Sequence, residues 1–347
     1  MRHAIACLLS LALLGPAPTV ADAQSRLSLP APNWQPTAAF TAVTGVRELS
    51  NGDVLVIDSQ EQQLYVLAAD GRTRRSIARG GAGPGEFRAV RALMAMRGDS
   101  TALSDAALRR FVIFAPDGRA VQHIQLPEFV GEMALGATEL VAGSALVYPA
   151  RWSGDGARAS EVPLLRWRLG ASTVDTVGAI RREALPAAIR ESGRAAPAGL
   201  IVPYLPNDVL VASAAGGFGI LSAEPYRLTV YTADGRLVAS GPPVPIERVR
   251  TSDRERGMMP PGWIPDTKPP FTEMGHFVDA AGRFWVRRSR AAGSTTTTYD
   301  LFSPAGEQLG EIPLTDNRRI VGAGARGVYL VRESDEGFQY LERYLLP

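Results

Sequence analysis

The stretch GGAGPGEF, Gly80 to Phe87, holds four glycines in eight residues and decides the fold. A loop that cradles phosphate in the Walker manner ends in Gly-Lys-Ser or Gly-Lys-Thr, whereas Glu86-Phe87 stand here. A dinucleotide fingerprint needs a further glycine three residues after the second, and Gly83 is followed by Pro84, Gly85 and Glu86. No helix follows whose N-terminus would face an anion. The loop reads as a connector: glycine allows a sharp path between two strands, and Phe87 anchors the start of the next unit.

Working outward, the same unit recurs. YVLAADGR ends at Arg72, FVIFAPDGR at Arg119, TVYTADGR at Arg236 and YDLFSPAGE at Glu307. Each is an alternating apolar strand running into a tight turn, a strong hairpin signal. Upstream of each turn an aromatic follows a Pro- or Gly-rich bend: Phe40, Phe87, Phe129, Tyr204 and Phe271. The spacing from aromatic to turn glycine is 31 residues for Phe40–Gly71, Phe87–Gly118 and Tyr204–Gly235. Intermediate turns fall at Asn51-Gly52, Gly98, Gly217 and Gly282. Four strands per unit, repeated at this period, predict an all-β, six-bladed β-propeller with blades beginning near residues 40, 87, 129, 204, 271 and 317. The sixth unit has three strands before the chain stops, so an N-terminal strand, Arg26–Leu29, is expected to close the ring.

These motifs resemble the NHL-repeat family of six-bladed propellers, most specifically over Phe40–Leu126, again at Met274–Leu314, and weakly across residues 130–200. The resemblance implies the fold and a family that mixes scaffold and binding proteins with some enzymes. It also implies that Asp58, six residues after Gly52, caps a loop; Arg288 occupies the equivalent place after Gly282.

Arg2, the apolar run Ala4–Leu14 and the small residues Ala21 and Ala23 read as a signal peptide of residues 1–23, leaving a mature chain of residues 24–347 in the periplasm or outside the cell. The run is too short for a membrane span, and none follows it. Cys7 is the only cysteine, so the mature chain must be held by its core alone. Lys and Arg number 37 against 35 Asp and Glu, a balance that excludes a nucleic-acid surface. A monomer is expected.

In a propeller, loops joining the second strand to the third, and the fourth to the next blade, share one face. Here that face carries the long segments 151–160, 181–202, 242–270 and 288–296. Their arginines and tryptophans, Arg151, Trp152, Trp263, Arg287, Arg288 and Arg290, are candidate contacts for a protein, peptide, glycan or small anionic ligand. Alternatively the acids interleaved with them pair them off as a solvated surface. Inner strands place Arg91, Glu132, Asn207, Asp208, Glu273 and His276 along the channel. Glu132, Asp208 and Glu273 would suit calcium in a hydrolase or lactonase, the alternative to a binding protein that needs no cofactor. With two histidines and no cysteine in the mature chain, a three-histidine zinc site like that of the NHL-type amidating lyase cannot form. No Gly-x-Ser-x-Gly elbow marks a nucleophile. A third reading, a module of a larger envelope assembly, predicts a broad apolar patch without a deep pocket.

Overall fold

A computed structural model describes residues 25–151, 158–191, 202–315 and 317–346, excepting the side chains of Glu132 and Leu135. The expected signal peptide, residues 1–23, and Trp152 lie outside the described residues. Six antiparallel sheets form the ring of a six-bladed β-propeller. Blade 1 comprises Val43–Glu48, Val54–Asp58, Gln63–Leu67 and Arg74–Arg79, in that order from the channel outward. Blade 2 repeats it with Val90–Ala95, Thr101–Asp105, Arg110–Phe114 and Ala120–Gln125. Blade 4 uses Val209–Ser213, Gly217–Ala223, Tyr226–Thr232 and Leu237–Ser240. Blade 5 uses Phe277–Val278, Phe284–Arg287, Thr296–Phe302 and Gln308–Thr315.

Burial follows position in the blade. Every residue of the second strands Val54–Asp58 and Thr101–Asp105 is buried, because both faces of a blade pack on neighbours. Outer strands such as Arg74–Arg79 are mostly exposed. One apolar cluster fills each gap between blades. Leu55, Ile57, Phe87 and Leu103 pack between blades 1 and 2, and Val211, Leu228, Phe271 and Phe284 between blades 4 and 5. The turn glycines serve these gaps as well as the turns: a Cβ on Gly235, whose φ is +84°, would stand 2.0 Å from the carbonyl oxygen of Val177 in blade 3.

Blade 6 is built from Arg318–Gly324, Gly327–Glu333 and Gln339–Tyr344, and an N-terminal strand completes it. The closing strand is Ala39–Phe40, paired with Gln339 and Tyr340, and not the expected Arg26–Leu29. That earlier segment lies one blade back, where Leu27 N donates to Glu311 O at 2.8 Å. Ala39–Phe40 wins because Phe40, 1% exposed, fills the gap between blades 6 and 1.

Blade 3 departs most from the repeat. Its described strands are Ala145–Pro149, Ser160–Arg168 and Asp175–Arg182. Where other blades place their channel strand, Glu132–Gly136 forms a 3-10 turn, leading to Leu140. Phe129 is correspondingly 51% exposed, and the adjacent Val130 takes the buried place. Tyr204 also fails as an inter-blade anchor: it sits half-buried in a loop at φ 65°. Phe40, Phe87 and Phe271 do fill that role.

The GGAGPGEF loop is satisfied by its own Glu86 and by two side chains of blade 2. Arg110 NH2 donates to Gly83 O at 3.3 Å and Glu86 O at 2.9 Å. Gly83 N donates to Glu86 Oε2 at 2.9 Å, and Gly85 N to His123 Nε2 at 3.2 Å. Carbonyls surround a cation, and amides that a phosphate would need are already taken. The aspartate implied as a loop cap does cap one: buried Asp58 accepts from Thr41 N at 2.7 Å and Ala42 N at 3.1 Å. Asp105 repeats this one blade on, accepting from Arg88 N and Ala89 N, each at 3.1 Å.

Candidate functional site

Four of the described arginines of the long-loop face and its flanks pair with carboxylates. Arg288 is enclosed, with hydrogen bonds to Asp300 and an ion pair to Glu311 at 2.6 Å. Asp300 also accepts from Tyr226 OH at 2.7 Å and from Gln308 Nε2 at 2.6 Å, so Asp300, held by Arg288, joins blade 5 to blade 4. Arg248 pairs with Glu224, Arg181 with Glu183, and Arg256 with Asp253. Trp263, half-buried, packs against Leu185, Ile189, Val202 and Leu205. Arg290 NH1 reaches Thr297 Oγ1 at 3.4 Å, while the Arg290 carbonyl accepts from Lys268. Arg151 is exposed.

Segment 242–270 is pinned by the chain's single lysine. Lys268, 4% exposed, donates to Glu255 Oε1 and to Arg290 O at 2.8 Å, and its ammonium lies 5.0 Å from the Tyr204 ring centre. Tyr204 OH donates to the same Glu255 oxygen at 3.1 Å. Ser252 and Glu255 form a capping box on the short helix Asp253–Arg256. Burial alone would raise the Glu255 pKa; donors from Lys268, Ser252 and Tyr204 outweigh it and hold the carboxylate at about 2.

The channel holds a different arrangement. A cavity of about 560 Å³ is walled by the inner strands of blades 1, 2 and 6, the ends of those of blades 4 and 5, and Thr138-Glu139 of blade 3. Arg91 and Arg319 are each the second residue of their inner strands, at the end where the chain enters each blade. Arg91 has no hydrogen-bond or ion-pair partner among the described residues. Arg319 donates only to neutral groups, Val43 O and Gln339 Oε1, and burial lowers its pKa. Arg47 also lines the cavity; it binds Thr101 Oγ1 at 2.8 Å and Asp99 Oδ1 at 3.1 Å, while its buried Nε finds no acceptor.

Glu139 stands where blade 3 lacks its inner strand. Its Oε1 accepts from Ala95 N at 3.1 Å and Leu140 N at 2.8 Å. Part of the residue touches the channel, but the carboxyl is packed in protein, and that burial pushes its pKa up to about 7 against those two donors and Arg47. His276 is fully committed: Nδ1 accepts from Arg287 N at 3.1 Å, which leaves the proton on Nε2 to be donated to Thr272 O at 2.7 Å. Burial lowers its pKa to about 4, so it is neutral at pH 7 and offers no ring nitrogen to a metal.

A second cavity, about 230 Å³, opens beside the gap in blade 3 and shares Thr138 and Ala212 with the first. Arg182, Asp208 and Glu273 line it, with Met133 and Met274 exposed at its walls. Asp208 Oδ2 accepts from Arg181 N at 3.0 Å, and Asn207 Oδ1 from Glu183 N at 2.8 Å. Asp208 and Glu273 therefore do share a pocket, while the Glu132 side chain falls outside the described residues. Among the described residues no group of three or more His, Cys, Asp and Glu is placed to hold a metal ion.

Arg47, Glu139, Arg182 and Arg319 were not among the channel residues expected from the sequence. Charged residues at the start or end of inner strands were the available signal for Arg47 and Arg319. Glu139 had none, because it replaces a strand that the repeat predicts.

No family model matches the chain, and no curated protein matches it. Solved structures do. A Bacteroides fragilis protein assigned as exported has 11% identity, with 93% of this chain and 99% of that one covered, and a TM-score of 0.52. The likeness is one of fold. A Xanthomonas campestris gluconolactonase (13% identity, 89% and 91% covered, TM-score 0.44) and a calcium-binding regucalcin of Agrobacterium tumefaciens (12%, 92% and 96%, 0.42) score lower and bear on nothing further. Among the described residues no helix is long and apolar enough to cross a membrane.

Proposed function

We propose that this chain is an exported binding propeller of NHL-repeat type, cleaved after a signal peptide, whose channel mouth takes a small anionic ligand. The reading moves the anion contact from the long loops, where Arg181, Arg248, Arg256 and Arg288 are paired, to the channel. Arg91 and Arg319, facing one cavity without a carboxylate partner, carry it. A carboxylate or phosphate there meets two guanidiniums that no described carboxylate pairs directly. The calcium hydrolase alternative would rest on Asp208 and Glu273, the two carboxylates that share the smaller pocket.

Calorimetric titration of citrate into the purified protein tests the reading. Binding is expected to weaken with added salt and to fall about tenfold or more in Arg91→Ala and in Arg319→Ala. Absence of binding, or binding indifferent to both substitutions, overturns it. Elemental analysis is expected to return no bound calcium, and a chelator to leave the melting temperature unmoved; one equivalent of calcium would promote the hydrolase instead.

A further inference from the structure

The cavity beside blade 3 is a consequence of a missing strand, and its lining does not match that of the channel. Its charged residues are Arg182, Asp208 and Glu273. Burial raises the Asp208 pKa against the opposing pull of Arg181, Ser222 and Arg182, yet no ion pair or hydrogen bond joins Arg182 to Asp208. Opposite charges that share a cavity without meeting each keep a face for something else. Arg182 has no partner among the described residues, nor has Glu273. Asp208 accepts from Arg181 N and is also hydrogen-bonded by Ser222.

The remaining wall is apolar. Val147, Ile180 and Leu210 line the cavity, and Met133 and Met274 are 42% and 79% exposed. Unbranched thioether side chains left in solvent are adaptable contacts for an aliphatic group. At about 230 Å³ the space falls below that of a drug-sized site, and suits a compact ligand.

We infer that this cavity binds a zwitterionic apolar α-amino acid. The carboxylate lies against Arg182, the ammonium against Asp208 and Glu273, and the side chain between Met133 and Met274. A simple organic anion satisfies Arg182 but leaves two carboxylates facing its uncharged end. A simple amine has the converse fault. Only a ligand carrying both charges answers all three groups. The site is separate from Arg91 and Arg319, so its fate does not depend on anion binding in the channel.

The test is calorimetric titration with L-leucine, 4-methylpentanoate and isoamylamine, which share a branched chain and differ in charge. L-Leucine is expected to bind at least about tenfold more tightly than either analogue. Arg182→Gln and Glu273→Gln are each expected to weaken leucine about tenfold, with unchanged melting temperatures, while leaving citrate binding intact. Equal affinity for the three compounds, no leucine binding at millimolar concentration, or indifference to both substitutions overturns the proposal. Citrate binding that fails while leucine binding passes rejects the channel reading alone.

Discussion

The hydroxyl of Tyr226 in blade 4 donates to Asp300 in blade 5 across 2.7 Å, and both residues are buried. Asp300 is a buried carboxylate whose other partners are Arg288 and Gln308. Removing the cation leaves that charge uncompensated. Arg288→Met is expected to destabilise the protein by about 3–5 kcal/mol, and Arg288→Lys by less, since lysine keeps the charge but loses the planar fork. Urea denaturation reads both. The same substitutions should leave citrate affinity in the folded protein unchanged, which separates a strut from a ligand contact.

Glu139 makes stability depend on pH in a sense opposite to a paired carboxylate. Its folded pKa is raised to about 7, above the usual carboxyl value near 4.5. Between those values the unfolded chain ionises while the folded one holds its proton, so stability is lost as pH rises through that window. Glu139→Gln keeps an oxygen for Ala95 N and Leu140 N. The variant is expected to exceed the parent in stability at pH 8, by at most on the order of 3 kcal/mol, and to match it near pH 4. A variant no more stable at pH 8 would show that the carboxylate is accommodated in its charged form.

Glu255 runs the other way. Its pKa, held at about 2, makes a contribution present above the unfolded value near 4.5 and lost as pH falls towards 2. The contact joins segment 242–270 to Tyr204 and Arg290, so the loss should be local before it is global. Limited proteolysis with pepsin is expected to cut within that segment ahead of the blades, and Lys268→Met to produce the same early cut at pH 7 by a neutral-range protease.

Arg110 is the cation around which GGAGPGEF folds. Arg110→Met strips several carbonyls of their donor at once, and a loss of about 2–3 kcal/mol is expected in denaturant melts. Phosphate added at millimolar concentration should not protect the parent protein through this loop. Protection abolished by Arg110→Met would revive the phosphate reading.

The fold was legible because the repeat writes its turns in residues with one physical use. Gly71, Gly118, Gly235 and Gly306 all have positive φ, and Gly235 and Gly306 also press against the backbone of the preceding blade. Phe129 misled for the same reason that Phe87 helped: an aromatic after a bend marks a blade only if a channel strand follows, and after Phe129 a 3-10 turn follows. Arginine content was legible, but not its pairing. Whether Arg288 faces a ligand or Asp300 depends on a residue one strand over, and no spacing rule along the chain encodes that. The cavity beside blade 3 arises where the repeat lapses, so a reading built on repetition passes over it.

The N-terminal segment has a temporal consequence. Leu27 bonds to Glu311, Asn33 and Trp34 to Arg343, and Ala39 lies opposite Tyr340. Partners therefore stand some 300 positions apart along the chain. Until they arrive, Phe40 has no complete gap to fill, and blade 1 presents an unguarded side. Such distant contacts make loop closure the slow event of folding. The ring cannot lock before those distant strands meet.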